Sequence, residues 1–323
     1  RISSKKGFNM EKYQQKTIKH EISCVGIGLH TGNKISMTLK PAEINAGIVF
    51  HRTDAAGRDA YIPARHEYVV DTRMCTCIGN KDGVKVATIE HLMAAIHAMG
   101  VNNLMIDIDG PETPVMDGSS APFVFLLECA GIKAQGAPLK ALRILKTVRY
   151  TSGDKELVLT PAEKGLNMHF SIDFPASVIG HQEADLDLTA ANFKNMFSRA
   201  RTFGFLQDIE MLRSIGLARG GSLDNAILVN DNTIMNKDGL RYSNEFVRHK
   251  MLDAVGDLYM CGYPMIADFS GSRSGHTDTN ALLSAVFADE SNYEIVDMAT
   301  YYASLAEHKA VEEDEDLMRL ECA

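Results

Sequence analysis

Two stretches of the chain carry the same alternation of apolar and polar positions. Lys34-Ile-Ser-Met-Thr-Leu39 leads into Lys-Pro41-Ala42-Glu43, and Lys155-Glu-Leu-Val-Leu159 leads into Thr-Pro161-Ala162-Glu163. Such alternation predicts a strand with one buried face, and the proline ends it because it cannot donate to a ladder. A second strand-like run closes at Phe50 in one stretch and at Phe170 in the other. The period then changes. His91-Leu-Met-Ala-Ala-Ile-His-Ala-Met-Gly100 and His249-Lys-Met-Leu-Asp-Ala-Val-Gly-Asp-Leu-Tyr-Met-Cys-Gly262 read as helices stopped by glycine. Each precedes a strand (103–108 and 264–269), a glycine-containing turn, and another helix (121–130 and 280–288).

Strand, strand, helix, strand, helix therefore occurs twice. The pattern predicts an α+β protein built as two related α/β domains from an internal repeat, 10–140 and 141–300, followed by an acidic tail at 301–323. The second copy is longer between its strands and its first helix. That places an insert at about 193–236, including Arg201-Thr-Phe-Gly-Phe-Leu206 and the Gly220-Gly221 turn. Halves packed face to face leave a cleft, a common place for ligands. Since a histidine opens each repeat helix, His91 and His249 should meet at the seam.

His249 and Asp253 stand four apart on one helix, which puts both side chains on one face. Taken alone, that spacing more often marks a surface pair. With His91 as a third ligand, the set suits Zn²⁺ and leaves a position for water, as hydrolysis requires. Glu90 lies about 100° around the helix from His91, so it can lean over a metal-bound water and take its proton. Lys250 offers positive charge to a developing oxyanion. Asp257 continues the Asp253 stripe and can orient a ligand or a second histidine. His276, in the loop Ser274-Gly-His-Thr277, can donate a proton to a leaving amine. His30 in Gly-Leu-His-Thr-Gly32 reads as structural. Gly26-Ile-Gly-Leu-His-Thr-Gly32 has its third glycine one place too late for a dinucleotide fingerprint, and Gly271-Ser-Arg-Ser-Gly275 lacks the lysine of a phosphate loop.

Composition narrows the partners. With 323 residues and a net charge of -9, the chain lacks the basic surface that general nucleic-acid binding needs. Six scattered cysteines read as reduced, mostly core residues. No apolar run is long enough to span a membrane, and residues 1–9 have no apolar signal-peptide core. Met10 fits a natural start, and the expectation is a cytoplasmic monomer. A zinc peptidase, or a nucleotide-sugar binding protein with a structural metal, would share some of these features. A peptide-binding edge would mark the first and a closed four-ligand metal site the second.

Several motifs together resemble the UDP-3-O-acyl-N-acetylglucosamine deacetylase family of lipid A biosynthesis. They are Gly26-Ile-Gly-Leu-His-Thr-Gly32, Asp71-Thr-Arg-Met-Cys-Thr-Cys77, Thr88-Ile-Glu-His-Leu92, Met116-Asp-Gly-Ser-Ser-Ala-Pro-Phe123, Ser198-Arg-Ala-Arg-Thr-Phe-Gly-Phe205 and Glu245-Phe-Val-Arg-His-Lys-Met-Leu-Asp253, with Asp257 and Ser274-Gly-His276. The resemblance runs from about Thr17 to Ala288. It implies helices sandwiched between sheets, an insert in each domain (the first at about 51–80), and one Zn²⁺ held by His91, His249 and Asp253. It implies Glu90 as base, His276 as cationic helper supported by Asp257, Lys250 as substrate lysine, and Thr202 near the bound carbonyl. The substrate would be a small glycolipid with a UDP head. Phe203 would lie beside its sugar and acyl chain. The second insert, with Ile209, Leu212, Ile215 and Leu217, would line an acyl passage.

Overall fold

The computed structural model describes residues 10–57 and 59–307. Its first half contains β1 (Gln14–Ile18), β2 (Ile22–Ile27), β3 (Lys34–Pro41), β4 (Ile48–Arg52), β5 (Tyr61–Pro63), β6 (Val69–Asp71), β7 (Cys77–Gly79), β8 (Lys85–Val86), α1 (Glu90–Ala98), β9 (Leu104–Ile108), α2 (Ala121–Ala130) and β10 (Ile132–Pro138). Its second half contains β11 (Lys140–Ile144), β12 (Val148–Ser152), β13 (Lys155–Thr160), β14 (Leu166–Asp173), β15 (His181–Asp187), α3 (Ala190–Met196), β16 (Phe203–Phe205), α4 (Leu206–Ser214), β17 (Ile227–Asn230), β18 (Thr233–Ile234), α5 (Glu245–Leu258), β19 (Met265–Ser272), α6 (His276–Phe287) and β20 (Tyr293–Asp297).

The strand order is the same in both halves. One sheet runs β2-β3-β9-β4-β5 and the other contains β12-β13-β19-β14-β15. In each, the central strand pairs antiparallel with one neighbour and parallel with the other: β9 with β3 and β4, β19 with β13 and β14. The alternation seen in the sequence sets which side chains face inward. Ile35, Met37 and Leu39 are buried from β3, and Leu157 and Leu159 from β13. The paired runs β1/β10 and β11/β20 are both antiparallel, but β1/β10 forms its own two-stranded sheet while β11 also pairs parallel with β19 in the main sheet.

Helices α1, α2, α5 and α6 pack against these sheets and against one another. α5 rests on β14 and β15, α6 on β12 and β13, and α2 on β2, while α1 faces α5. Every residue of α1 is buried, and all of α5 except Arg248 and Lys250. A helix enclosed on both sides has no polar stripe to keep in water, so helical amphipathicity is weak here.

Each half interrupts its run before its long helix with a three-stranded sheet, β6-β7-β8 in the first and β16-β17-β18 in the second. The first covers 69–86, further along than the 51–80 expected for an insert, because Tyr61–Pro63 pairs with β4 at the edge of the main sheet. The second falls within 193–236. Residues 298–307 are helical, so the expected tail begins as a helix; its remainder, like residues 1–9, lies outside the described residues.

Candidate active site

The site forms where α1 and α5 come closest. A Cβ added at Gly256 would stand 2.1 Å from the carbonyl oxygen of Glu90 and 3.0 Å from the backbone nitrogen of Ala94. Only glycine allows the two backbones this approach. α5 begins at Glu245, so His249 sits one turn inside it and does not open it. Glu245 is fully buried and pairs with Arg201, whose Nε donates to Glu245 Oε1 at 2.9 Å. The N–H of Arg241 donates to Glu245 Oε2 at 2.6 Å as well, so a distant and a local partner together hold the helix start.

α1 starts at Glu90, one residue earlier than His91. The residue two before it, Thr88, has φ 57°, a left-handed conformation that costs a β-branched residue about 1–3 kcal/mol. Its neighbours fasten it. The Thr113 hydroxyl donates to its carbonyl, and its own hydroxyl donates to Glu112 at 3.2 Å. Glu112 also accepts the backbone N–H groups of His30 at 2.7 Å and Thr31 at 3.0 Å. The His30 ring is buried, and burial pushes its pKa down, so it sits neutral in a structural loop.

His91, His249 and Asp253 are all buried, with one ligand atom from each within 4.8 Å of the others. Asp253 Oδ1 is 3.5 Å from His91 Nε2 and 3.3 Å from His249 Nε2. Among the described residues that oxygen has no hydrogen-bond partner. A buried carboxylate oxygen left this way is costly unless a cation occupies the space in front of it. The His249 ring is fixed from behind: its Nδ1–H donates to the carbonyl of Ala200 at 2.9 Å, turning the Nε2 lone pair inward. Burial holds His249 neutral, with its pKa near 4. Burial opposes a charge on His91 too, but Asp253 outweighs it and raises its pKa. A divalent cation would take over from that proton. Two imidazole nitrogens and one carboxylate oxygen fit Zn²⁺.

Glu90 and His276 flank the cluster. His276 Nε2 lies 3.7 Å from Glu90 Oε1, and its Nδ1 donates to Asp257 Oδ2 at 2.6 Å. His276 is not in a loop but is the first residue of α6, started by the Asp278 carboxylate accepting from the N–H of Gly275 at 2.9 Å. Burial works against charge on His276, yet Asp257 and Glu90 overcome it and carry the pKa up to about 10. Burial raises the pKa of Glu90. His276 thus favours its cationic form directly beside the Glu90 carboxyl group.

Lys250 Nζ is 3.8 Å from Asp253 Oδ2 at the mouth of the cluster. Phe203 stands edge-on to His249, with ring centroids 6.4 Å apart. Thr202 is fixed by its backbone, donating to Gly118 at 2.8 Å and accepting from Ile227 at 2.8 Å. Ile209 and Leu212 are half-buried on α4 and Leu217 follows it half-buried, while Ile215 is 64% exposed. No residue of α4 is buried. One residue escaped the sequence analysis: Thr76, whose N–H donates to Glu90 Oε2 at 3.0 Å and whose hydroxyl donates to Asp257 Oδ1 at 2.6 Å. Its place inside the motif Asp71–Cys77 was the available signal.

Comparison with known proteins bears on what this cluster does. A family model described as UDP-3-O-acyl N-acetylglycosamine deacetylase matches residues 15–288. The chain is 49% identical over 285 residues to a protein of Actinobacillus pleuropneumoniae named UDP-3-O-acyl-N-acetylglucosamine deacetylase, covering 88% of this chain and 93% of that one. It is 49% identical over 289 residues to the protein of the same name from Acidithiobacillus ferrooxidans, covering 88% and 94%. The protein of that name from Pasteurella multocida is 48% identical over 285 residues, covering 88% and 93%.

Proposed function

The chain belongs to the UDP-3-O-acyl-N-acetylglucosamine deacetylase family, and from that premise we propose that it hydrolyses the N-acetyl group of a UDP-3-O-acyl-N-acetylglucosamine in lipid A biosynthesis. The observation that carries the proposal is the flanking of a His-His-Asp cluster by an acid–base pair. His91, His249 and Asp253 hold Zn²⁺ in this reading, and Asp253 Oδ1, which faces both imidazoles without accepting a hydrogen bond from any described residue, supports it. Bound there, the ion would polarise the acetamide carbonyl and acidify water beside it.

Glu90 takes a proton from the water whose oxygen attacks the carbonyl carbon. Protonated His276, held by Asp257, and Lys250 face the negative charge growing on oxygen. The C–N bond then breaks, the nitrogen takes a proton from His276, and acetate and the free amine leave. Phe203 lies beside the sugar and acyl chain, and Thr202 lies near the carbonyl. Ile209 and Leu212 on α4, which has no residue buried, offer the acyl chain an apolar surface continued by Ile215 and Leu217 just after the helix. The same reading makes the protein a cytoplasmic monomer. Among the described residues no helix is long and apolar enough to cross a membrane.

The test is acetate release from acylated UDP-N-acetylglucosamine, measured with metal content on the same sample. One zinc per chain with turnover is expected. Bound zinc without turnover, or a metal-free protein that unfolds, would make the metal structural and remove the proposal.

A further inference from the structure

Four groups beside the metal cluster close a ring, and one of them has no role in the reaction described above. Glu90 Oε2 accepts from the backbone of Thr76, and the hydroxyl of Thr76 donates to Asp257 Oδ1. Asp257 Oδ2 accepts from His276 Nδ1, and His276 Nε2 faces Glu90 Oε1. Thr76 sits just ahead of β7, in the first half's small sheet. Its carbonyl also accepts from the N–H of Ile89 at 3.3 Å, where α1 begins. One residue from the insert thus grips the start of α1 with its backbone and reaches α5 with its side chain.

We propose that Thr76 is a positioning residue that holds the base and the acid in one fixed relation, acting on His276 through Asp257. Resting on the deacetylase reading, this deepens it. Asp257 has two oxygens and two jobs. The oxygen toward Thr76 fixes the plane of the carboxylate, and the oxygen toward His276 then points along the Nδ1–H. Thr76 is 3% exposed and Asp257 5%, so water does not readily replace the hydroxyl. Among the described residues it is the donor to Asp257 Oδ1. Without it, a buried carboxylate keeps only one of its two anchors and is free to turn. His276 would then lose its aim at the leaving nitrogen, while the metal ligands and the substrate pocket stay as they were.

Thr76→Val keeps the shape and the backbone bonds and removes only the hydroxyl; Thr76→Ser keeps the hydroxyl. In Thr76→Val, kcat should fall on the order of 10- to 100-fold, the usual scale for a group that orients a catalytic histidine. KM should hold within about twofold and zinc should stay at the wild-type level. Thr76→Ser should recover to within about threefold of wild type. In an Asp257→Ala background, Thr76→Val should cost less than about twofold more, because the two act on one path. Near-normal kcat in Thr76→Val, a Thr76→Ser protein as slow as Thr76→Val, or additive losses with Asp257→Ala would each overturn the proposal. Should Thr76→Val not fold, Thr76→Ala takes its place, and a slow, zinc-loaded Thr76→Ser protein still refutes the role. Absence of turnover in the wild-type protein would instead fault the deacetylase reading itself.

Discussion

The two halves share a sheet order and differ in what their long helices carry. α1 places its chemistry in its first two residues, Glu90 and His91, and is otherwise apolar apart from His97. α5 spreads Glu245, His249, Asp253 and Asp257 along one buried stripe. In the proposed reading the first half supplies the base, Glu90, and one metal ligand, His91; the second supplies the other two candidate ligands and the carboxylate that accepts from His276. Neither half holds a complete site. Two halves with the same main strand order present two helix surfaces, and the candidate site exists only where they meet.

Breaking the seam should therefore cost most. Removing metal by chelation should abolish turnover while leaving secondary structure in place by circular dichroism, because both helices keep their apolar packing without the ion. Gly256→Ala should come next. A methyl group 2.1 Å from the Glu90 carbonyl forces the helices apart, for a stability loss of about 1–3 kcal/mol. A displacement of the base on that scale should cost on the order of 10²-fold in kcat. A Gly256→Ala protein with wild-type melting and turnover would show that close approach of the helices is not required.

The acid–base pair offers a finer separation of the two halves. In the proposed mechanism Glu90, from the first, acts ionised, and burial raises its pKa. His276, from the second, acts protonated in that mechanism, and its carboxylate neighbours overcome burial to bring its pKa to about 10. Turnover should rise as Glu90 loses its proton and fall as His276 loses its own, giving a bell in pH. Asp257→Asn removes a charge that favours protonated His276, so the alkaline limb should move to lower pH while the acidic limb moves less. An alkaline limb unmoved by that change would take Asp257 out of the account. Smallest and most selective is the second insert: Leu212→Asp should slow the acylated substrate several-fold more than its non-acylated counterpart, since charge on an apolar surface disfavours a fatty chain. Equal effects on both would separate α4 from acyl binding.

Much of this was legible in the sequence because alternation and helical spacing are local patterns. Alternation located β3 and β13, and Gly100 stands just past the end of α1, whereas α5 ends at Leu258 and Gly262 closes the 3-10 turn Tyr259–Cys261 that follows it. Spacing of four put His249 and Asp253 on one face, and the structure places His91 against them. What sequence patterns did not reveal depends on contacts far apart along the chain. Thr76 meets Asp257 across 181 residues, and Arg201 reaches Glu245 across 44. No local periodicity reports such pairs. The start of α6 was different: Asp278 three residues after Gly275 is a local signal for a helix beginning at His276. The position of the first small sheet turned on whether Tyr61–Pro63 joined it or the main sheet, a choice made by pairing with β4.

The central claim is a division of labour at the seam, with Glu90 as base and Asp253 as ligand. It is tested most directly by measuring zinc content and turnover together in Glu90→Gln and Asp253→Ala. Glu90→Gln should keep a full equivalent of zinc and lose about 10² or more in kcat, the scale of a missing general base. Asp253→Ala should lose zinc, and turnover with it, at metal concentrations that saturate the wild type. Loss of zinc from Glu90→Gln, or near-normal turnover with its zinc in place, would contradict the division.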